Sequence, residues 1–245
     1  MANGLGCRRN LAASRNPLVG WTWKGEVLSS TGCLLSGQPV LVWSVMDKLK
    51  TLLENCSRHH DHLCPRQILG VRIGLAGMAA LGFEEIPPKK RLFTILETDG
   101  CFADGVVEAT GCSIGHRRLR IEDYGKTAAT FVDTETDRAV RVTPALDVRK
   151  LAVAFAPKQS RHYFAQMEAY QVMPDEQLLM VREVQLVTSI DQIISRPGIR
   201  NECSRCGEEV INEREILIEG KPVCQSCAGS SYYHLPVAIS TFQKN

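Results

Sequence analysis

At 245 residues, 44% hydrophobic and 23% charged, the chain has room for one large domain and a small one, each with its own core. Its net charge of +2 is too small to point to a nucleic-acid partner. No apolar run reaches the roughly 18 residues of a membrane-spanning helix. The first residues lack a continuous apolar segment, with Trp21-Thr22-Trp23-Lys24 breaking up the nearest one, so the expected compartment is the cytoplasm.

Residues 1–38 read as a basic, glycine-broken, variable arm carrying Arg8, Arg9, Cys7 and Cys33, with no assigned role. From Val42 to Asn55, Trp43, Met46, Leu49 and Leu53 recur at helical spacing, so this stretch is expected to be an amphipathic core helix. It leads through Cys56 to His59-His60-Asp61-His62-Leu63-Cys64-Pro65. Pro65 opens a second helix, expected to run to Leu81, because proline at the first helical position loses no hydrogen bond. Cys64 then sits at a helix N-terminus, a place that favours a thiolate. Imidazoles and a thiol in one turn suit a metal or a reactive site. The competing reading is a polar loop whose histidines cap the helix. Gly70, Gly74 and Gly77 lie inside the second helix, which implies close approach by a partner element or a second subunit.

Leu92 to Glu97 reads as a buried strand that ends at Thr98-Asp99-Gly100-Cys101 with Asp104 and Gly105, and a short helix is expected over 105–110. Thr110-Gly111-Cys112-Ser113 follows. Cys101 and Cys112 each follow a glycine at an element end, so both are candidates to line a site; buried, inert thiols are the alternative. Strands are expected over 119–122, 128–133 and 139–142, and helices over 146–155 and 163–170. Another strand over 178–187 and a short edge element over 190–195 complete the core. Helices, strands, helices and strands in that order suit an α+β core domain over 39–196 better than a regular βαβ repeat.

Arg196-Pro197-Gly198 marks a linker to a second domain over 197–245. Cys203-x-x-Cys206 and Cys224-x-x-Cys227 are separated by 17 residues, the spacing of a tetrahedral four-thiolate zinc site. An iron–sulfur cluster is the rival reading of these four, and a disulfide framework the rival reading of the ten cysteines as a whole. So small a module would draw its folding energy from the metal. Residues 201–229 carry Arg205, Arg214 and Lys221 against six glutamates, which points to a protein contact or structural packing rather than nucleic acid.

The segments around His60 to Pro65, Leu69 to Gly74, Thr98 to Gly105, Thr110 to Gly115 and Asp123 to Lys126 together resemble the formylmethanofuran dehydrogenase-associated FmdE-like family. The likeness spans about residues 42–195. The finger over 203–231 looks like the treble-clef module of some relatives. The resemblance implies an α+β core, a homodimer, and a pocket where His60, His62, Cys64 and Cys101 hold a second zinc or other transition metal. Cys64, Cys101 and Cys112 are the candidate catalytic thiols. Arg66, Asp99 and Asp104 are candidate pocket residues for a cofactor. Asp61 and Arg66 stand where the family usually has glycines. The implied function is that of a metal-binding protein, with an enzyme and a non-catalytic accessory or carrier protein as the two alternatives.

Overall fold

In the computed structural model, the structure describes residues 40–59, 62–88 and 90–234. The arm expected over 1–38, His60, Asp61 and the last residues, 235–245, lie outside that set. The core is built on a five-stranded sheet of order β2-β1-β3-β4-β5. Its strands are β1 (Leu92–Leu96), β2 (Leu119–Ile121), β3 (Ala129–Asp133), β4 (Ala139–Pro144) and β5 (Leu179–Val184). Only β1 and β2 run parallel, joined by the crossover helix α3 (Cys101–Thr110). The other pairs are antiparallel, which makes this an α+β fold with a single βαβ crossover.

Alternation along the strands divides the core in two. Leu92, Leu96, Phe131, Val140 and Val142 face the main cluster, which also holds Ile68, Val71 and Ile73 of α2 (Pro65–Ala80). Phe93, Val132 and Ala139 face the other side, where Ile190 of α7 (Ile190–Ile194) covers them. Both faces being covered explains why β1 and β3 read as nearly continuous apolar runs. Three expectations shift. The segment 105–110 is only the second half of α3. The stretch 178–187 splits into a turn of helix, α6 (Asp175–Leu178), and β5. The segment 190–195 is helical because Ser189 caps it, accepting from the Gln192 amide.

Helices α1 (Val40–His59) and α5 (His162–Val172) pack against α2, and α4 (Val148–Phe155) packs against α5. Arg72 of α2 donates to the Tyr170 and Met173 carbonyls and to Asp175, which ties α2 to the C-terminal end of α5. Those carbonyls have no partner within their own helix, so a cation is well placed there.

The glycines of α2 are used inside the chain. A Cβ at Gly70 would lie 2.3 Å from the Phe102 carbonyl oxygen, and one at Gly105 2.3 Å from the Gln67 carbonyl oxygen. Gly74 meets Ala109, and Gly77 meets the Phe131 ring. Helices α2 and α3 therefore run parallel with their backbones in contact. This corrects one motive for a dimer, since the small-residue face of α2 is already occupied by α3 and β3.

Asp133 closes the β3–β4 hairpin and accepts from Arg91 through both oxygens, at 2.8 and 2.7 Å. The Arg91 guanidinium holds its carboxyl down at about 2, from 3.8. A carboxylate with a depressed folded pKa stabilises the fold above its unfolded pKa and loses that contribution as pH falls through the folded value. Asp133→Asn is therefore expected to cost about 1–2 kcal/mol at pH 7. The gap from wild type should close between about pH 4 and pH 2. Urea unfolding at several pH values checks this, and a constant gap down to pH 2 would rule the linkage out.

Candidate functional site

The finger is two small hairpins and a helical turn. Strands β6 (Arg200–Glu202) and β7 (Glu209–Ile211) flank Cys203 and Cys206. Strands β8 (Ile216–Ile218) and β9 (Lys221–Val223) lead to Cys224, and the turn Ser226–Ser230 carries Cys227. Its own core is little more than Cys203, Val210 and Val223. Gly207 has a φ of 76°, which lets its amide fold back to the Cys203 carbonyl and close the first knuckle.

The four sulfurs lie within 4.8 Å of one another, with Cys206 Sγ and Cys224 Sγ 3.9 Å apart. A tetrahedral ion bound at about 2.3 Å needs sulfurs about 3.8 Å apart. The cluster could thus hold a single metal ion, and zinc suits it. A cubane cluster spreads its thiolates over separate irons and sets them further apart. The Cys224 amide donates to Cys203 Sγ at 3.2 Å, and the Cys227 amide to Cys224 Sγ at 3.4 Å. Amide donation from Cys224, and then from Cys206, brings the Cys203 thiol down to about 6. Crowding by the Cys224 and Cys206 sulfurs pushes Cys227 up to about 12. A cation among them reverses that crowding, because each thiolate then faces positive charge.

The second constellation sits where α2 and α3 begin. Cys64 is the N-cap of α2: its sulfur accepts from the Gln67 amide at 3.4 Å, and its own amide donates to Gln67 Oε1 at 2.8 Å. This reciprocal capping box anchors the helix start. Cys101 is the first residue of α3, after Gly100 at φ 71°. Because the two helices are parallel and in glycine contact, their N-terminal ends lie side by side, which brings Cys64 and Cys101 near enough for each to influence the other's ionisation.

Burial decides the Cys64 ionisation. The side chain is 8% exposed, and desolvation raises its pKa in spite of donation from the Gln67 amide. The expected thiolate stabilisation at a helix start is present but outweighed. Cys56 of α1 is buried beside them, pushed up to about 12 by desolvation and then by Glu108, Asp104 and Cys64. Tyr163 of α5 donates to the Leu63 carbonyl at 3.5 Å, and its own pKa rises through burial and through Cys64 and Cys101. The Gln67 side-chain nitrogen, Nε2, is buried with no partner among the described residues.

The other sequence candidates fall as follows. Cys112 is not part of this group. It lies beyond the C-terminal end of α3, a helix of 10 residues and therefore about 15 Å long, whereas Cys101 opens that helix. Its thiol is fully buried and donates to the Leu92 carbonyl at 3.4 Å, as an inert core cysteine does. His62, Arg66 and Asp99 are exposed, and Asp104 is half-buried on α3 with its charge felt at Cys56. His60 lies outside the described residues. Among the described residues, the four finger cysteines form the only cluster of three or more metal-capable groups. His62 therefore does not complete an ion site with Cys64 and Cys101. Sequence reasoning missed Cys56 and Tyr163. Cys56 carried a weak signal, one helical turn before the histidines; Tyr163 carried none.

Fold and cysteine geometry together define an α+β protein with a C-terminal four-cysteine cluster that could bind a metal. The sequence model of the family described as "FmdE, Molybdenum formylmethanofuran dehydrogenase operon" matches residues 59–182, and the chain belongs to that family. A curated relative from Archaeoglobus fulgidus, named a probable S-adenosyl-L-methionine-binding protein, is 30% identical over 207 residues, covering 76% of this chain. The chain spans about half, 54%, of that relative's length. A crystal structure of a tungsten formylmethanofuran dehydrogenase FmdE-like protein from Syntrophus aciditrophicus shares the fold, at a TM-score of 0.50 and 20% identity. It covers 76% of this chain and 95% of its own.

No helix of the described residues is long and apolar enough to cross a membrane.

Proposed function

We propose that the chain is a metal-binding FmdE protein in which zinc in the finger is structural and the Cys64/Cys101 pair is the reactive centre. The observation that carries this is that two parallel helices in backbone contact each begin at a cysteine, Cys64 and Cys101, at adjoining N-terminal ends. Two helix dipoles aim their positive ends at that point, and Gln67 in the first turn of α2 carries a buried side-chain Nε2 with no partner among the described residues. Cys64 and Cys101 supply two sulfur donors for a second zinc or other transition ion, and His60 is the candidate to add an imidazole. A metal there would supply Lewis acidity to a bound substrate. The protein's part is to hold the donors and, through Tyr163, to wall the site. A symmetric dimer in the cytoplasm completes this reading.

The alternative is an accessory or carrier protein, favoured by the exposed Leu217 on the finger, which offers a contact for a protein partner. The Archaeoglobus relative's name adds S-adenosyl-L-methionine as a ligand to assay.

Metal analysis of protein purified without added metal tests the reading. Wild type is expected to carry about two ions per chain, and Cys64→Ala/Cys101→Ala about one, with the finger's ion retained. One ion per chain in both proteins would defeat the second metal site.

A further inference from the structure

A cleft of about 780 Å³ opens between β2 at the sheet edge, α7 and the finger. That volume is in the range of sites that take small organic ligands. One wall is apolar, formed by Ile193, Ile211 and Ile216. Arginines reach it from two separate parts of the chain: Arg117 and Arg120 at the start of β2, and Arg214 between the finger's hairpins.

The arginines have no anionic partner among the described residues. Arg117 donates to the Ile194 carbonyl at 2.6 Å and to Ser195 Oγ at 3.2 Å, and Arg120 donates to the Ile193 carbonyl. None of the three is ion-paired with a described carboxylate. Burial and then the Arg214 charge lower the Arg120 pKa, with Glu122 opposing and Arg117 adding to the fall.

The cleft's own carboxylates are committed elsewhere. Glu213 is held by Arg196 at 2.8 Å and Glu209 by Arg200 at 2.6 Å. Glu215 accepts from Asn201 through Oε1 at 2.7 Å, while its Oε2 is buried with no partner among the described residues. Three guanidinium groups that make no ion pair repel one another in the cleft, and a dianion bound among them offsets that cost. A single carboxylate matches one guanidinium fork, whereas a phosphate can accept from several.

We propose that this cleft binds a small phosphorylated organic ligand, with Arg117, Arg120 and Arg214 on the phosphate and the isoleucines against its apolar body. The site is separate from the Cys64/Cys101 pair, and Cys224 of the metal cluster is among the residues that line it.

Titration calorimetry of the full chain with ADP, pyrophosphate and adenosine tests it. ADP is expected to bind in the micromolar range, pyrophosphate more weakly, and adenosine not measurably. Arg120→Gln and Arg214→Gln should each weaken ADP binding by about tenfold or more, as expected for loss of a charge-assisted contact. Lys150→Gln, on the exposed face of α4, should leave it unchanged. Arg214 makes no ion pair among the described residues and is exposed, so its variant should fold even if the Arg120 variant does not. The proposal is overturned if neither ADP nor pyrophosphate binds at millimolar concentration. It is equally overturned if Arg214→Gln leaves ADP binding intact, or if Lys150→Gln weakens it as much. Equal affinity for ADP and pyrophosphate would overturn the ligand class, since the apolar residues of the cleft would then have no part.

Discussion

Gly105→Ala is expected to lower the melting temperature by about 10 °C, a large effect for one added methyl group. The new Cβ would stand 2.3 Å from the Gln67 carbonyl oxygen, 2.9 Å from the Val71 amide nitrogen and 3.0 Å from Gly70 Cα. All three are backbone atoms of a helix, so no side chain can swing away. Relief requires α2 and α3 to separate along a contact that runs from Gly70 to Ala109. Overpacking costs about 1–3 kcal/mol where side chains can adjust. A rigid backbone contact belongs above that range, at about 4 kcal/mol after alanine's helix-propensity gain of about 1 kcal/mol. At about 2–4 °C per kcal/mol the fall in melting temperature follows. Gly115→Ala is the control, because nothing lies within 4 Å of the added Cβ. It should melt within a degree or two of wild type. Equal melting of both variants would show that the helices are not in glycine contact. Gly105→Ala should also part the Cys64 and Cys101 thiols, since the same contact sets their separation.

Cys203→Ser is expected to remove about one metal ion per chain and to unfold the finger while leaving the core folded. Cys203 is the most buried of the four ligand candidates, at 1% exposure, and accepts the Cys224 amide. Serine offers a poorer donor to a borderline ion and shortens the reach to the centre. With only Val210 and Val223 as further fully buried apolar residues, the finger has little to hold it once the ion leaves. Structural zinc contributes about 10–16 kcal/mol in comparable small modules. Limited proteolysis should cut near residues 198–230 in the variant and spare the core. Metal analysis should show the loss. Retained metal and an uncut finger would refute the four-cysteine assignment. A strong chelator should reproduce the variant's cleavage pattern in wild type.

What could be read from the sequence was what neighbouring residues decide between themselves. The start of α2 followed from Pro65, whose ring is preset for a helix, and from Cys64 before it. The four-cysteine cluster followed from two Cys-x-x-Cys turns, because each turn alone places two sulfurs on one side of a knuckle. The FmdE relationship followed from motifs inside residues 59–182. The α+β class followed from the order of elements.

Tertiary structure alone decided which distant groups share a site. Cys101 and Cys112 both follow glycines and looked alike in the sequence. Helix α3 begins at the first and ends before the second, so its length sends them to opposite ends. Gly105 suggested a helix start and is a contact point in the middle of a helix. Cys56 and Tyr163 reach the thiol pair only because α1 and α5 pack around α2. The arginine cleft draws on three chain segments that meet only in the folded protein. Spacing and capping are local energies written into adjacent residues, whereas these placements depend on how helices and sheet bury their apolar faces together.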